Sequence, residues 1–155
     1  MIVVSDTSPV LNLARIGQSN LLCLLYREIL IPGTVAEELV RNGADVRSIS
    51  CLAVREPSDM EAVRRLQSEL DPGEAAAIAL ALEVDADMIL ADERKGRKKA
   101  AEMGLEVVGL LGVISEAKRR RLIPACRPML DALERDARFW ISRRLRDRFL
   151  AIAGE

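Results

Sequence analysis

The sequence predicts a three-layer α/β/α fold built on a central parallel sheet of four to five strands. Short aliphatic runs alternate with helical stretches along the whole chain, the rhythm of βαβ units. The runs are short and mostly apolar, as expected of strands in a sheet covered on both faces. At 155 residues, half of them apolar, the chain is sized for one domain, and it shows no repeat, low-complexity tract or linker.

The elements follow in order. Ile2 to Ser5 reads as a buried strand, and Ser8 with Pro9 as the N-cap and first residue of a helix reaching Ile16, where Gly17 stops it. A short helix covers Asn20 to Arg27. Glu28 to Ile31 is the second strand, and Pro32 opens a helix to Arg41, ended by Asn42-Gly43. Ile49 to Val54 alternates weakly as a third strand, and Asp59 to Leu70 is helical. Asp71-Pro72-Gly73-Glu74 starts an alanine-rich helix to Glu83. Met88 to Ala91 is the fourth strand, followed by a basic helix from Arg94 to Met103. Leu105 to Val108 is the fifth, with a helix from Leu110 to Arg120 behind it. Two further helices, over Pro124 to Arg135 and Ala137 to Ile152, form a C-terminal extension (residues 124–155) that packs on the domain or on a dimer partner.

Composition narrows the chemistry. With no histidine, the commonest general base, the usual zinc sites and a Ser-His-Asp triad are all excluded. The net charge of −1 conceals a polarised chain. Residues 1–93 hold seven Lys and Arg against sixteen Asp and Glu, a net of −9; residues 94–155 hold sixteen against eight, a net of +8. Such a division suits a site that gathers cations beside a surface that attracts phosphates. Cys23, Cys51 and Cys126 are odd in number and widely spaced, and read as reduced, buried thiols. The start has no basic leader and no apolar run is long enough to span a bilayer, so a cytoplasmic protein is expected.

In open α/β sheets the functional crevice lies beyond the carboxyl ends of the strands, and this sorts the acids. Asp6 directly follows the first strand and Asp92 the fourth. Glu38 lies two turns into the helix after the second strand, and Glu74 in the first turn of the alanine-rich helix. Asp85 and Asp87 precede the fourth strand and belong to the opposite edge. Singly, each candidate has an ordinary reading. Glu38 pairs with Arg41 at i+3, Glu74 closes a capping box with Asp71, and Asp92 caps the next helix. For Asp6 a capping role is already filled by Ser8.

Jointly, these residues resemble the PIN-domain nucleases, in particular the branch related to VapC-type toxins. The likeness runs through Val4-Ser5-Asp6-Thr7-Ser8-Pro9 and Leu11-Asn12-Leu13-Ala14, then Pro32 with Val35-x-x-Glu38-Leu39. It continues in Leu70-Asp71-Pro72-Gly73-Glu74-Ala75 with Ala77 to Ala81, in Leu90-Ala91-Asp92-Glu93-Arg94-Lys95-Gly96-Arg97, and in Gly109-Leu110-Leu111-Gly112-Val113. Ala117-Lys118 and Phe139-Trp140-Ile141-Ser142 extend it over nearly the whole chain. The resemblance implies a PIN-like (Rossmannoid) fold and a metal-dependent endoribonuclease acting on single-stranded RNA and leaving 5′-phosphate and 3′-hydroxyl ends. Asp6, Glu38, Glu74 and Asp92 occupy the family's acidic positions, where many such toxins carry Asp in place of Glu74. Thr7 and Ser8 match hydroxyls near the site. The toxin half of a toxin–antitoxin pair is implied, with a small protein antitoxin, a homodimer and no membrane among its associations.

The chemistry agrees. Mg²⁺ or Mn²⁺ takes hard oxygen ligands and needs only a few carboxylates. Such an ion activates water and neutralises charge on a phosphodiester without any histidine. Asp6 and Asp92 are the expected principal ligands, Glu38 a ligand or water-orienting base, and Glu74 a ligand, direct or through water. Arg94, Lys95 and Arg97 crowd a helix N-terminus, where basic side chains oppose the macrodipole unless phosphate visits, and are the expected RNA contacts. Lys98 and Lys99 read as a solvated face, and the run Lys118 to Arg121 either extends the binding surface or closes a helix. Of four aromatic residues, Phe139, Trp140 and Phe149 fall in the last helix and read as packing residues.

Other classes fit less well. A catalytically silent binding or regulatory module would keep the acids, and a housekeeping RNA-processing nuclease would share every residue. A phosphoacceptor receiver needs Lys after the fifth strand, where Gly109 and Leu110 stand, and a haloacid-dehalogenase-type phosphatase needs Asp where Ser8 stands.

Overall fold

The computed structural model describes residues 1–155. Five strands, β1 (Val3–Ser5), β2 (Ile29–Ile31), β3 (Leu52–Val54), β4 (Met88–Leu90) and β5 (Val107–Val108), form one sheet in the order β3-β2-β1-β4-β5. Every pairing is parallel, with Val4 opposite Leu30 on one side and Ile89 on the other. The chain builds outward from β1 to β3, then returns to add β4 and β5 on the far side. The reversal between β1 and β4 is the topological switch point, where the strand ends open a crevice.

Nine helices cover the sheet: α1 (Thr7–Arg15), α2 (Asn20–Leu25), α3 (Gly33–Arg41), α4 (Met60–Gln67), α5 (Pro72–Glu83), α6 (Arg94–Glu102), α7 (Leu110–Arg119), α8 (Arg127–Asp136) and α9 (Arg143–Ile152). Alternation along the strands divides the interior in two. Val3, Ile29, Ile31 and Leu90 face a core of 26 residues shared with α1, α2, α3, α7, α8 and α9. Val4, Leu30 and Ile89 face a core of 13 shared with α4, α5 and α6. The three layers expected from the sequence are present.

Helix α5 has no polar stripe. Ala75 to Ala81 are all buried, and the small side chains let α5 sit against α3, α4, α6, β1 and β4 together. Its N-terminus carries the expected capping box, with Asp71 accepting from the Glu74 N–H at 2.9 Å and Glu74 accepting from the Asp71 N–H at 3.2 Å.

Three expectations are corrected. Helix α1 begins at Thr7 with Asp6, not Ser8, as its N-cap. The Asp6 N–H donates to Leu90 O at 2.9 Å, so the chain turns as soon as β1 ends, and the nearest acceptor for the new helix is Asp6 itself. The last helix does not run from Ala137. Arg138 is left-handed (φ 54°), the Phe139 N–H closes onto Leu133 O at 3.0 Å, and Ser142 caps α9 by accepting from the Leu145 N–H. Residues 137–142 are therefore a connection, with Ala137 and Ile141 buried and Trp140 83% exposed. Finally, Cys23 and Cys51 are not free thiols but form a disulfide, their Cα atoms 5.2 Å apart, while Cys126 stays free and buried. Spacing in sequence carries no information about a contact that folding creates across 28 residues.

Reduction should therefore matter. Opening the Cys23–Cys51 link restores chain entropy to the unfolded state and is expected to cost about 2–4 kcal/mol. Urea unfolding with and without dithiothreitol measures it; an unchanged midpoint would show that the link adds nothing.

Three of the four basic residues from Lys118 to Arg121, at the end of α7, are absorbed internally. Lys118 bonds Ala153 O and pairs with Glu155 at 2.9 Å, Arg119 and Arg120 clasp Glu116, and Arg120 also donates to Leu25 O. Glu155 in turn accepts from the Cys126 and Arg127 N–H groups that open α8. The lysine ammonium and these two donors hold the Glu155 carboxyl down to about 2. No helix is long and apolar enough to cross a membrane.

Candidate active site

The acids are gathered by the ends of β1 and β4 and by the first turn of α5. Asp6 leaves the central strand and caps α1 through Oδ1, which accepts from the Thr7 N–H at 2.7 Å. It is only 5% exposed. Burial pushes its carboxyl up to about 7 against the opposing Thr7 hydrogen bond, and Glu74, Asp71 and Glu38 add like-charge repulsion. Asp6 thus senses two of the three acids expected beside it.

Glu38 does not pair with Arg41. Its Oε2 accepts a short hydrogen bond from the Thr7 hydroxyl, and its carboxylate lies against Gly73, where an added Cβ would meet both oxygens at 2.7 Å. Thr7 therefore serves two acids, Asp6 through its backbone and Glu38 through its side chain. The Ser8 hydroxyl accepts from Asn12 at 3.5 Å and makes no hydrogen bond to the acids.

Glu74 performs two tasks. Oε1 completes the capping box, while Oε2 is buried without a donor and lies over Gly96 of α6, 2.6 Å from where a Cβ would stand. Burial, offset by the Asp71 N–H and reinforced by the charges of Asp71 and Glu93, pushes this carboxyl up to about 7.

Asp92 does not cap the helix that follows it; Glu93 holds that position. The Asp92 Oδ1 accepts instead from the Leu110 N–H at 2.7 Å, at the start of α7, and Oδ2 is buried without a donor. Burial raises its carboxyl, opposed by that hydrogen bond and by Arg97. Arg97 is less free than expected. Its Nη1 donates to Ala91 O at 2.8 Å and packs over Gly109, so it steadies the Asp92 loop. Arg94 and Lys95 are exposed and unpaired, whereas Lys99 pairs with Glu69 at 2.8 Å. Asp87 accepts from the Ile2 N–H at the opposite sheet edge, as its position before β4 requires.

The carboxylates that converge most tightly are Asp71, Glu74 and Glu93, whose ligand oxygens all lie within 4.8 Å of one another. Asp71 has a sufficient local explanation as the N-cap of α5, and Glu93 is overshadowed in the sequence by Asp92, to which the cap of the next helix is assigned. Their places beside Glu74 and Asp92, at the same sheet edge, were the available signal. The acidic surface is thus wider than the expected four residues, with Glu74 common to both sets.

The PIN-domain family DUF3368 matches residues 2–155. The chain is a PIN-domain protein. Among solved structures, the PIN domain resembles a PilT N-terminus domain protein, SSO1118, from the hyperthermophilic archaeon Sulfolobus solfataricus P2. The two share 19% identity and a TM-score of 0.57, over 76% of this chain and 93% of that one, a likeness of fold. No curated protein matches by sequence. PIN domains are typically metal-dependent nucleases, and the residues present suit a divalent cation: hard oxygen donors, two of them buried with no donor to satisfy them.

Proposed function

We propose that this PIN-domain protein is an Mg²⁺- or Mn²⁺-dependent endoribonuclease that hydrolyses single-stranded RNA, and that it is the toxin of a toxin–antitoxin pair held in check by a small protein antitoxin. The observation that carries the hydrolase reading is the pair of buried carboxylate oxygens, Glu74 Oε2 and Asp92 Oδ2, each without a hydrogen-bond partner. The choice of RNA and the toxin role rest on the motif resemblance.

Asp6, Glu74 and Asp92 would hold the ion, with Asp71 and Glu93 adding negative charge at its outer side and Glu38 accepting a proton from the attacking water. When bound, the ion supplies charge neutralisation at the phosphoryl group and activation of water. The chain's own part is preorganisation. The Thr7 N–H and hydroxyl fix Asp6 and Glu38, the Leu110 N–H fixes Asp92, and the capping box fixes Glu74, so little rearrangement is needed on binding. Exposed Arg94 and Lys95, at the start of α6, would draw in the RNA backbone.

Incubation of the purified protein with an RNA pool and Mn²⁺, with and without EDTA, tests the activity; absence of metal-dependent cuts would end the proposal. A single-stranded DNA arm tests the choice of RNA, and growth arrest on expression without a partner tests the toxin role. Thermal stability offers a second measurement. Protons on Asp6 and Glu74, whose carboxyls sit at about 7, compete with the ion. The rise in Tm on adding Mn²⁺ is therefore expected to be small at pH 5.5 (about one and a half units below these values) and to grow through pH 8 (about one unit above). A shift independent of pH would place the ion elsewhere.

A further inference from the structure

Trp140 is the sole tryptophan, and its 83% exposure is unusual for so large an apolar ring. The loop presents it rather than leaving it loose. Ala137 and Ile141 are buried on either side, and Arg146 of α9 grips Asp131 and Glu134 of α8 beneath it. The indole borders two hollows. One, of about 630 Å³, runs from Trp140 past Leu145 and Leu111 to Gly109, Arg97 and Asp92, the rim of the candidate active site. The other, of about 550 Å³, sets Arg138 and Arg143 beside the ring, both exposed and without an acidic partner.

We propose that Trp140 is a stacking platform for a base of single-stranded nucleic acid whose neighbouring phosphate lies at the acidic centre. The inference rests on the nuclease reading and adds a substrate subsite to it. An aromatic face accepts any base, the apolar floor between Trp140 and Gly109 withdraws that base from water, and the flanking arginines match a polyanionic backbone. A second copy of the chain is a poorer occupant. A two-fold contact centred on this ring would bring Arg138 and Arg143 of both copies together, with no acid in the hollow's lining but Glu134, already held by Arg146.

Because the chain holds one tryptophan, its fluorescence reports on this residue alone. The full chain in EDTA is titrated with an oligouridylate of about ten nucleotides, a length within the usual single-strand site size. The oligonucleotide should quench Trp140 emission, whereas inorganic polyphosphate, which offers charge without bases, should not. By anisotropy, Trp140→Ala should weaken binding about tenfold and Trp140→Phe much less. The slope of log K against log salt should be unchanged by Trp140→Ala and shallower in Arg143→Ala. If the oligonucleotide binds while emission stays constant and Trp140→Ala binds as well as wild type, the platform is wrong and the nuclease reading stands. If Trp140→Ala alters the oligomeric state but neither binding nor Mn²⁺-dependent cleavage, the ring is a contact between copies and the platform is again wrong. If no oligonucleotide binds and none is cut with Mn²⁺, both readings fall.

Discussion

Asp6→Asn should abolish cleavage and, in the absence of metal, make the protein more stable above neutral pH. The two effects have one origin. Asp6 is buried at the centre of the sheet edge with its carboxyl raised to about 7 by loss of water and by neighbouring acids. Its unfolded-state value is near 3.8, so between about pH 4 and 7 the folded state holds a proton that the unfolded state has lost. Folding stability then falls as pH rises across that window, by up to about 1.4 kcal/mol per pH unit for this group, and levels off above it. Asparagine keeps an oxygen to accept from the Thr7 N–H, so the cap of α1 survives, but it neither titrates nor supplies an anionic ligand. Cleavage should drop by more than about 100-fold, since even outer residues of metal centres cost 10–100-fold. Urea unfolding should show the variant gaining on the wild type progressively between pH 5 and pH 8, and Mn²⁺ should stabilise the wild type alone. A variant that cuts as well as wild type would remove Asp6 from the site.

Gly96→Ala should separate activity from stability in the same way. Gly96 lies within α6, and in a helix interior alanine is favoured over glycine by about 1 kcal/mol. Yet the new Cβ would stand 2.6 Å from Glu74 Oε2 and 3.3 Å from its Cδ. Glu74 is 5% exposed and tethered through Oε1 to the Asp71 N–H, so its free oxygen must swing aside. The expected result is a fold at least as stable, with cleavage and metal affinity lowered about 10–100-fold, as for other changes that misplace a ligand. Isothermal titration with Mn²⁺ alongside thermal melting would show it. Loss of folding together with loss of binding would mean that α6 cannot yield at that point and that glycine is there for packing alone.

Much of this architecture is legible in the chain because the signals are local. Short aliphatic runs mark the strands, most plainly β1 and β2, which are buried on both faces, and Asp71-Pro72-x-Glu74 announces the start of α5 at its correct residue. The carboxyl-end rule separates Asp6 and Asp92 from Asp87, and each lies at the edge assigned to it. What the chain conceals depends on meetings between distant segments. The N-cap of α1 is set by the hydrogen bond from Asp6 to Leu90, not by the better-looking Ser8. The pairing of Cys23 with Cys51 and the approach of Glu93 to Asp71 have no counterpart in local pattern. Arg97 reads as a free cation until the carbonyl of Ala91 is seen beneath it. The break before α9 was written in Ser142 but masked by the apolar residues around it, which led Trp140 to be placed inside a helix.

The central position of β1 also bears on synthesis. Strand β1 must be flanked on both sides, by β2 soon after it in the chain and by β4 some 85 residues later. Until that second neighbour emerges, one edge of β1 stays open and the switch-point crevice lacks a wall. The nascent chain therefore carries Asp6 without Asp92 until β4 has emerged. Long-range closure of this kind is slow relative to local helix formation. A site divided across such a closure cannot assemble until the fourth strand is free to dock, long after its first carboxylate has been made.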